Sequence, residues 1–235
     1  MVLFIIVAIV LVGAVAWAQW YARERRRRAL AAWGAANGLT FSPEKVTGLD
    51  DRYPDFDCLH TGSNRYAFNT LSGDWHGRRC LAFDYHYETR STDAKGRSQT
   101  QDHYFSAAIL DSPVPLKPLF IRPERFLDKV AGFFGFEDIN FESAEFSRKF
   151  FVKSPDRKWA YDVIHPRTME FLLAQPVFTL RFAGPCVAAW RDHRFEPAEF
   201  EQAVGVVAGI LDRLPEYLVK QQTGDTPAAA PGAVP

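Results

Sequence analysis

Motifs that identify common enzyme classes are missing from this sequence. It contains no Walker loop, no G-x-G-x-x-G, no paired C-x-x-C, no H-E-x-x-H and no G-x-S-x-G. Cysteine is scarce: the three present (Cys58, Cys80 and Cys186) are odd in number and widely spaced, which does not predict a disulfide framework. Such cysteines are typical of a reducing compartment, where the thiol is a small buried apolar group. We therefore expect no cofactor and no bound metal, and the pattern does not favour an enzyme.

A surplus of positive charge is absent as well. The 28 basic and 28 acidic residues cancel, and residues 23–28 alone hold five basic residues and one acidic residue. The rest of the chain therefore carries a net charge of −4. Nucleic-acid binding requires an excess of Lys and Arg to neutralise phosphates, so we expect no nucleic-acid partner.

Apolar residues, by contrast, are plentiful. They make up 47% of the chain, and aromatic residues make up 14%, which excludes a fully disordered protein. Residues 39–220 are long enough for one folded domain with its own core. The polar and Pro-rich residues 221–235 are expected to form a disordered tail.

The first 18 residues contain no charged side chain. A helix of about 20 apolar residues spans a bilayer core, and lipid cannot satisfy free backbone groups, so we predict a transmembrane helix over residues 1–21. Aromatic rings favour the headgroup level, and basic residues beside a span stay in the cytoplasm. We therefore expect a single-pass cell-membrane protein with a basic juxtamembrane helix over residues 22–38 and a cytoplasmic domain. The predicted membrane interface comprises Trp17, Trp20, Tyr21, Arg23, Arg25, Arg26, Arg27 and Arg28.

A cleaved signal peptide is the alternative for the same segment. Residues 16–18 read Ala-Trp-Ala, which loosely matches a signal-peptidase site. No basic residue precedes the apolar run, however, and the basic block follows it. This order of charges favours an anchor over a signal peptide.

Alternating apolar residues predict a β-hairpin in the middle of the chain. Residues 65–71 and 79–87 flank a turn with two glycines, and residues 103–110 form a returning strand after a polar tip over residues 89–101. Keeping the apolar sets on one face requires a specific register. The predicted pairs are Tyr85–Phe105, Phe83–Ala107 and Leu81–Ile109.

Shorter signals complete the predicted domain. Strands are expected over residues 39–41, 119–122 and 145–153, with a second hairpin formed by residues 177–182 and 186–192. Helices are expected over residues 22–37, 123–134, 155–164, 166–174 and 197–214. The last helix carries an apolar stripe that should pack on the sheet. The fold class is therefore α+β: an N-terminal transmembrane helix, then one mostly antiparallel sheet domain with a long C-terminal packing helix.

Three segments carry a family resemblance. They are Gly73-x-x-x-Gly77-Arg78, Phe83-Asp84-Tyr85-x-Tyr87, and the Phe- and Glu-rich stretch over residues 138–152. Together they resemble a group of uncharacterised bacterial proteins with an N-terminal membrane anchor, over roughly residues 25–215. The resemblance implies a bacterial origin and an anchored domain, and it implies no catalytic or binding residue.

Polar residues on the central hairpin are candidates for chemistry. Asp84, His86 and Glu88 share one face of a strand, and His103 lies on its neighbour, so a metal or acid–base site is conceivable. In the predicted register, His103 faces away from His86. The interpretation we favour is the solvated face of a half-exposed hairpin.

Two further clusters each have a chemical and a structural interpretation. Cys58 and His60, close to two aspartates, could form a nucleophile and its base, although a buried cysteine and a surface histidine are the commoner arrangement. Arg148 could bind an anion, but a partly buried ion pair with Glu145 or Glu142 is the interpretation we favour.

These observations leave three hypotheses for the function. We favour a binding or scaffold module at the inner face of the membrane, with an unknown protein or lipid partner. A membrane-associated hydrolase or transferase with an unrecognised site is the alternative. A third hypothesis is a domain that senses anionic lipids through its arginine block.

Overall fold

The computed structural model describes residues 1–92, 96–124 and 138–223, without the side chains of residues 2, 3, 6, 8, 222 and 223. The longer helices are α1 (Val2–Ala36), α5 (Pro166–Ala174), α6 (Pro197–Leu211) and α7 (Glu216–Thr223). The short ones are α2 (Leu49–Arg52), a 3-10 turn (Asp57–Leu59), α3 (Ala144–Lys149) and α4 (Arg157–Val163). The strands are β1 (Leu39–Ser42), β2 (Ser63–Trp75), β3 (Arg78–Thr92), β4 (Ser98–Pro123), β5 (Phe150–Lys153) and β6 (Thr179–Arg191).

The described strands form one antiparallel sheet of six strands, so the α+β class is confirmed. The strand order is β1-β2-β3-β4-β5. Strand β6 pairs with β4 on the side opposite β3. The three residue pairs predicted for the central hairpin are all present in the register of β3 and β4. Burying one apolar face therefore fixed the pairing, because a shift by one residue would turn every apolar side chain to the other face.

Both faces of the sheet are covered. One face packs under α6 and the end of α1, in a core that includes Leu30, Phe200 and Val204. The other face packs under the segment that contains α2 and the 3-10 turn, in a core that includes Phe56 and Tyr85. Neither face of β3 is therefore a solvent face from residue 80 to residue 86.

Helix α1 ends inside the domain. Leu30 is fully buried, and Trp33 lies against Trp75 and Phe200 with ring centroids 5.9 and 6.1 Å apart. Gly38, with φ of 72°, directs the chain from the helix into β1. The predicted helical continuation over residues 22–37 is confirmed.

The N-terminal part of α1 exposes many large apolar side chains, among them Ile9, Val12, Val15 and Trp17. In the part of the chain that the structure describes, no helix has the combination of length and apolar composition needed to cross a membrane.

Other predicted elements differ from the structure. The strand expected over residues 145–153 is instead α3 followed by β5. Ser143 caps α3, because its hydroxyl accepts the N–H of Phe146 at 3.2 Å. Phe146 and Phe150, four residues apart, are both buried, a spacing that fits a helix as well as a strand.

The second predicted hairpin is also wrong. Residues 179–191 form the single strand β6, which pairs with β4 on both sides of Gly184. Gly184 has a positive φ of 54°. On both sides of it the pairing register shifts, because β4 has more residues than β6 in this region. The short strand expected over residues 119–122 is likewise the end of β4.

The C-terminal helix is confirmed. Helix α6 begins at Pro197 behind the capping Glu196, and the apolar residues of its predicted stripe are buried. Helices α4 and α5 match the two predicted helices closely. The helix expected over residues 123–134 lies almost entirely outside the described residues.

Candidate functional site

A buried ion pair joins α1 to the sheet. Arg26 donates to both carboxylate oxygens of Asp84, through Nη1 at 2.5 Å and Nη2 at 2.9 Å. The Asp84 side chain is fully buried, and 11% of the Arg26 side chain is exposed. A bidentate pair of this kind fixes both the position and the rotation of the helix relative to the strand.

Three further groups complete the network around Asp84. Asn69 Nδ2 and Ser106 Oγ donate to the carboxylate at 2.8 and 2.6 Å. Ser106 Oγ accepts the N–H of Phe195 at 2.8 Å, and Arg26 Nη2 donates to the Phe195 carbonyl at 2.6 Å. The network therefore links α1, β2, β3, β4 and the loop before α6, and it surrounds a charge that would be costly to bury alone.

This burial overturns the interpretation of Asp84 and His86 as part of a solvated hairpin face. Asp84 is 0% exposed and His86 is 2% exposed. The alternation correctly placed them on one face, but α1 covers Asp84 through Arg26, and the rings of Tyr66 and Tyr104 cover His86.

A groove opens beside this network, between α1 and the sheet, with a volume of about 1070 Å³. Its walls are residues 19–29 of α1, residues in the first half of β2 and of β4, and the loops after β1 and β6. The basic residues that line it are Arg23, Arg25, Arg26, Arg27, Lys45 and Arg194. The aromatic residues that line it are Tyr21, Tyr66, Phe68 and Tyr104, and the acidic one is Glu196.

Aromatic rings and cations are interleaved along the groove. Lys45 Nζ lies 4.0 Å from the centroid of the Tyr66 ring, and the Arg194 guanidinium lies 5.9 Å from that of Tyr104. Burial raises the pKa of Tyr104, and the neighbouring Tyr66 and Asp102 raise it further. The phenol therefore remains a neutral hydrogen-bonding group at physiological pH. The surface offers positive charge and apolar ring faces together.

His86 lies next to the groove. Its ring packs between those of Tyr66 and Tyr104, with centroids 4.5 and 5.0 Å away. Nδ1 lies 3.0 Å from the carbonyl oxygen of Asn64, and Nε2 lies 2.8 Å from Asp102 Oδ1. As the register predicted, His103 is on the other face, where it stacks on Tyr87.

The predicted interface residues of α1 lie along one continuous helix. Trp17 and Tyr21 stack with centroids 5.7 Å apart, and both are exposed, as is Trp20. Arg23, Arg25 and Arg27 are exposed and line the groove. Arg28 is exposed outside it and pairs with Glu24 at 2.9 Å.

The ion pair expected for Arg148 is wrong. Arg148 and Glu145 are exposed on α3, and Glu142 is exposed just before the helix. Between these side chains, all of which the structure describes, it shows no ion pair. The expected strand would have placed Arg148 beside Phe146 and Phe150, whereas the helix turns it into solvent.

Cys58 and His60 do not form an activated pair. Burial raises the pKa of the Cys58 thiol well above its usual range, and Asp57 raises it further. His60 is exposed at the end of the 3-10 turn. A thiol held neutral is a poor nucleophile.

Several residues of the site gave no sequence signal. Asn69 lies beside Thr70 in the mixed strand β2, Ser106 is a single polar residue among apolar neighbours in β4, and Lys45 and Arg194 belong to loops. The strand register places Tyr104 opposite His86, so it was within reach of the hairpin prediction. The others come together only through the packing of α1 on the sheet.

No family model and no curated protein matches this sequence. The fold is similar to that of a solved structure, described as the crystal structure of the mycobacterial trehalose monomycolate transport factor A, TtfA. The TM-score is 0.60, and the alignment covers 79% of this chain and 92% of that chain at 13% identity. At this identity the likeness shows the fold alone.

Proposed function

We propose that this chain is a membrane-anchored binding domain that takes the anionic headgroup of a lipid into the groove between α1 and the sheet. The anchor is residues 1–21, and the domain lies on the cytoplasmic side of the cell membrane. The groove with its six basic residues, beside the apolar part of α1, is the observation that carries the proposal.

The composition of the groove supports an anionic amphiphile. Basic residues near a membrane surface each contribute about 1 kcal/mol to the attraction of anionic headgroups. The rings of Phe68 and Tyr104, both of which line the groove, suit the glycerol and upper acyl region better than water. A purely charged ligand would make no use of these rings.

The anchor rests on the amino-acid sequence. Residues 1–18 carry no charge, and large side chains are exposed along that part of α1. Apolar side chains in the N-terminal part of α1 are expected in lipid rather than in water. Because the same helix continues into the domain, the groove would open at the level of the headgroups.

The structural neighbour is consistent with such a role. TtfA is described as a transport factor for trehalose monomycolate. The likeness concerns the fold only, so the proposal depends on the residues of the groove.

Titration of the full-length chain in a neutral detergent with short-chain lipids tests this function. We expect saturable binding of phosphatidylglycerol, detected as heat, and much weaker binding of phosphatidylcholine. The variant R23Q/R25Q/R27Q removes three exposed groove charges but keeps the Arg26–Asp84 pair. It should lose about 3 kcal/mol of binding free energy, on the order of 100-fold in affinity.

The matched control is R148Q/K158Q/R167Q, which removes three exposed charges from residues that do not line the groove. We expect this variant to bind phosphatidylglycerol like the unaltered chain. Equal affinity for both lipids, or equal loss in both variants, would contradict the proposal. Equally tight binding of glycerol phosphate would point to a free phosphate ester instead of a lipid.

A further inference from the structure

We infer that His86, Glu88 and Asp102 form a binding site for a divalent transition-metal cation of the zinc class. His86 and Glu88 are two residues apart on β3 and therefore share a face, and Asp102 of β4 pairs directly with Glu88. One nitrogen or oxygen atom from each side chain lies within 4.8 Å of the other two.

The hydrogen bond at Nδ1 defines which nitrogen of His86 faces the carboxylates. The carbonyl of Asn64 can only accept a hydrogen bond, so Nδ1 carries the proton and donates to it at 3.0 Å. In the neutral ring, Nε2 is then a bare lone pair, 2.8 Å from an oxygen of Asp102. Two acceptors at this distance repel each other unless a cation or a proton lies between them. A metal-bound histidine typically has this arrangement, with its other ring N–H held by a carbonyl.

Asn64 positions two of the three side chains. Besides accepting from His86, it donates through Nδ2 to Glu88 Oε1 at 2.5 Å. Its backbone lies at φ of 48°, in the left-handed region, within the register shift between Ser63 and Tyr66. Such a backbone is costly for a residue other than glycine and is common at binding sites. Here it turns both the carbonyl and the amide of Asn64 toward the cluster.

The chemistry of the three side chains selects the kind of metal. One imidazole and two carboxylates suit zinc-like cations at bonds of about 2.0–2.2 Å, whereas calcium and magnesium prefer oxygen ligands alone. Asp102 is 60% exposed, so the remaining coordination position is open to water or to a further ligand. Two carboxylates around one neutral imidazole also leave a charge that a divalent cation would balance.

The metal site does not depend on the proposed lipid binding. It lies beside the groove rather than inside it, because Tyr66 and Tyr104 separate the imidazole from the groove. The two sites can therefore be tested by different ligands on the same preparation.

The test is calorimetric titration of the EDTA-treated full-length chain in detergent with Zn²⁺, together with the absorption spectrum of the Co²⁺ form. We expect one saturable site and visible d–d bands from cobalt. Asp102→Asn and Glu88→Gln change partly exposed side chains, so the fold should persist while affinity falls at least about tenfold in each. Asn64→Gly tolerates the same backbone angle and should weaken binding by about tenfold, because it leaves Glu88 unoriented.

The matched control is His193→Gln. His193 Nε2 lies 3.1 Å from Glu199, and among the described residues no third ligand converges on this histidine–carboxylate contact. Zinc affinity and the cobalt spectrum should be unchanged in this variant. The inference is overturned if no saturable site is found, if binding survives both Asp102→Asn and Glu88→Gln, or if only His193→Gln reduces it.

Discussion

Asp84 is the residue on which the candidate site depends most. It is fully buried and receives hydrogen bonds from Arg26, Asn69 and Ser106. A carboxylate in such a place is tolerated because every oxygen has a donor. The same arrangement makes the loss of one partner more harmful than the loss of the whole pair.

The first prediction concerns this pair. Asp84→Asn leaves the Arg26 guanidinium partly buried without its counter-charge, and we expect the free energy of unfolding to fall by about 3–5 kcal/mol. Urea unfolding of the full-length chain in detergent, followed by circular dichroism, measures the change. The double variant Arg26→Met with Asp84→Leu should lose less than Asp84→Asn alone. A double variant at least as unstable as the single one would contradict the assigned role of the pair.

At the scale of single residues, the sequence predicted which side chains share a face but not which face is covered. Alternation along β3 correctly separated Asp84 and His86 from Phe83 and Tyr85. Whether Asp84 meets water depends on α1, whose contacting residue Arg26 lies 58 positions away in the sequence. A pattern of period two contains no information on a contact so distant in sequence.

The junction between α1 and β1 is the element that couples the N-terminal helix to the domain. Gly34 lets the helix approach β1 and β2 closely. A Cβ at this position would lie 2.7 Å from Leu71 Cδ2 and 3.0 Å from the Leu39 carbonyl oxygen. The Leu39 carbonyl oxygen belongs to the backbone, so it cannot move away as freely as the Leu71 side chain.

The second prediction therefore concerns Gly34→Ala. The gain in helix propensity is about 1 kcal/mol, but the clash with Leu39 should outweigh it and lower the melting temperature. Gly205→Ala in α6 is the control, because that glycine is exposed and a Cβ there meets nothing within 4 Å. It should raise the melting temperature. Stabilisation by both substitutions would show that α1 does not pack tightly on the sheet.

Helices and strands could be predicted from the sequence where the apolar residues kept one period over many residues. They could not be predicted where the pattern was short. The hairpin of β3 and β4 and the stripe of α6 repeat their patterns over many residues. Around residues 144–149 the only apolar pattern was the four-residue spacing of Phe146 and Phe150, which fits both a helix and a strand. The capping Ser143 was the signal that favoured a helix. In β6, Gly184 and Pro185 are typical of a turn, yet pairing with β4 on both sides keeps the strand continuous.

For the whole molecule, the arrangement of charge gives the third prediction. A tag at the C-terminus should be protected from protease in intact spheroplasts, because basic residues beside a membrane span stay in the cytoplasm and the arginine block directly follows the proposed anchor. Lysed spheroplasts provide the control, in which the tag must be digested. Digestion in intact spheroplasts would place the domain outside and would expose its three cysteines to an oxidising compartment.

The groove itself could not be predicted from sequence at any scale. The arginine block suggested anionic lipids, but the opposite wall comes from β2, β4 and two loops that follow far along the chain. The packing of α1 on the sheet, to which the Arg26–Asp84 pair and the buried Leu30 both contribute, brings these walls together. The central claim is therefore one of location: lipid binds in the groove, and not only along the apolar part of α1.

Photo-crosslinking tests that location most directly. The full-length chain in detergent is irradiated with phosphatidylglycerol that carries a diazirine near the glycerol, and the adducts are mapped by peptide mass spectrometry. We predict adducts on Tyr66, Phe68 and Tyr104, lost in R23Q/R25Q/R27Q and much weaker with a matched phosphatidylcholine probe. Adducts confined to residues 1–21 with both lipids would contradict the account.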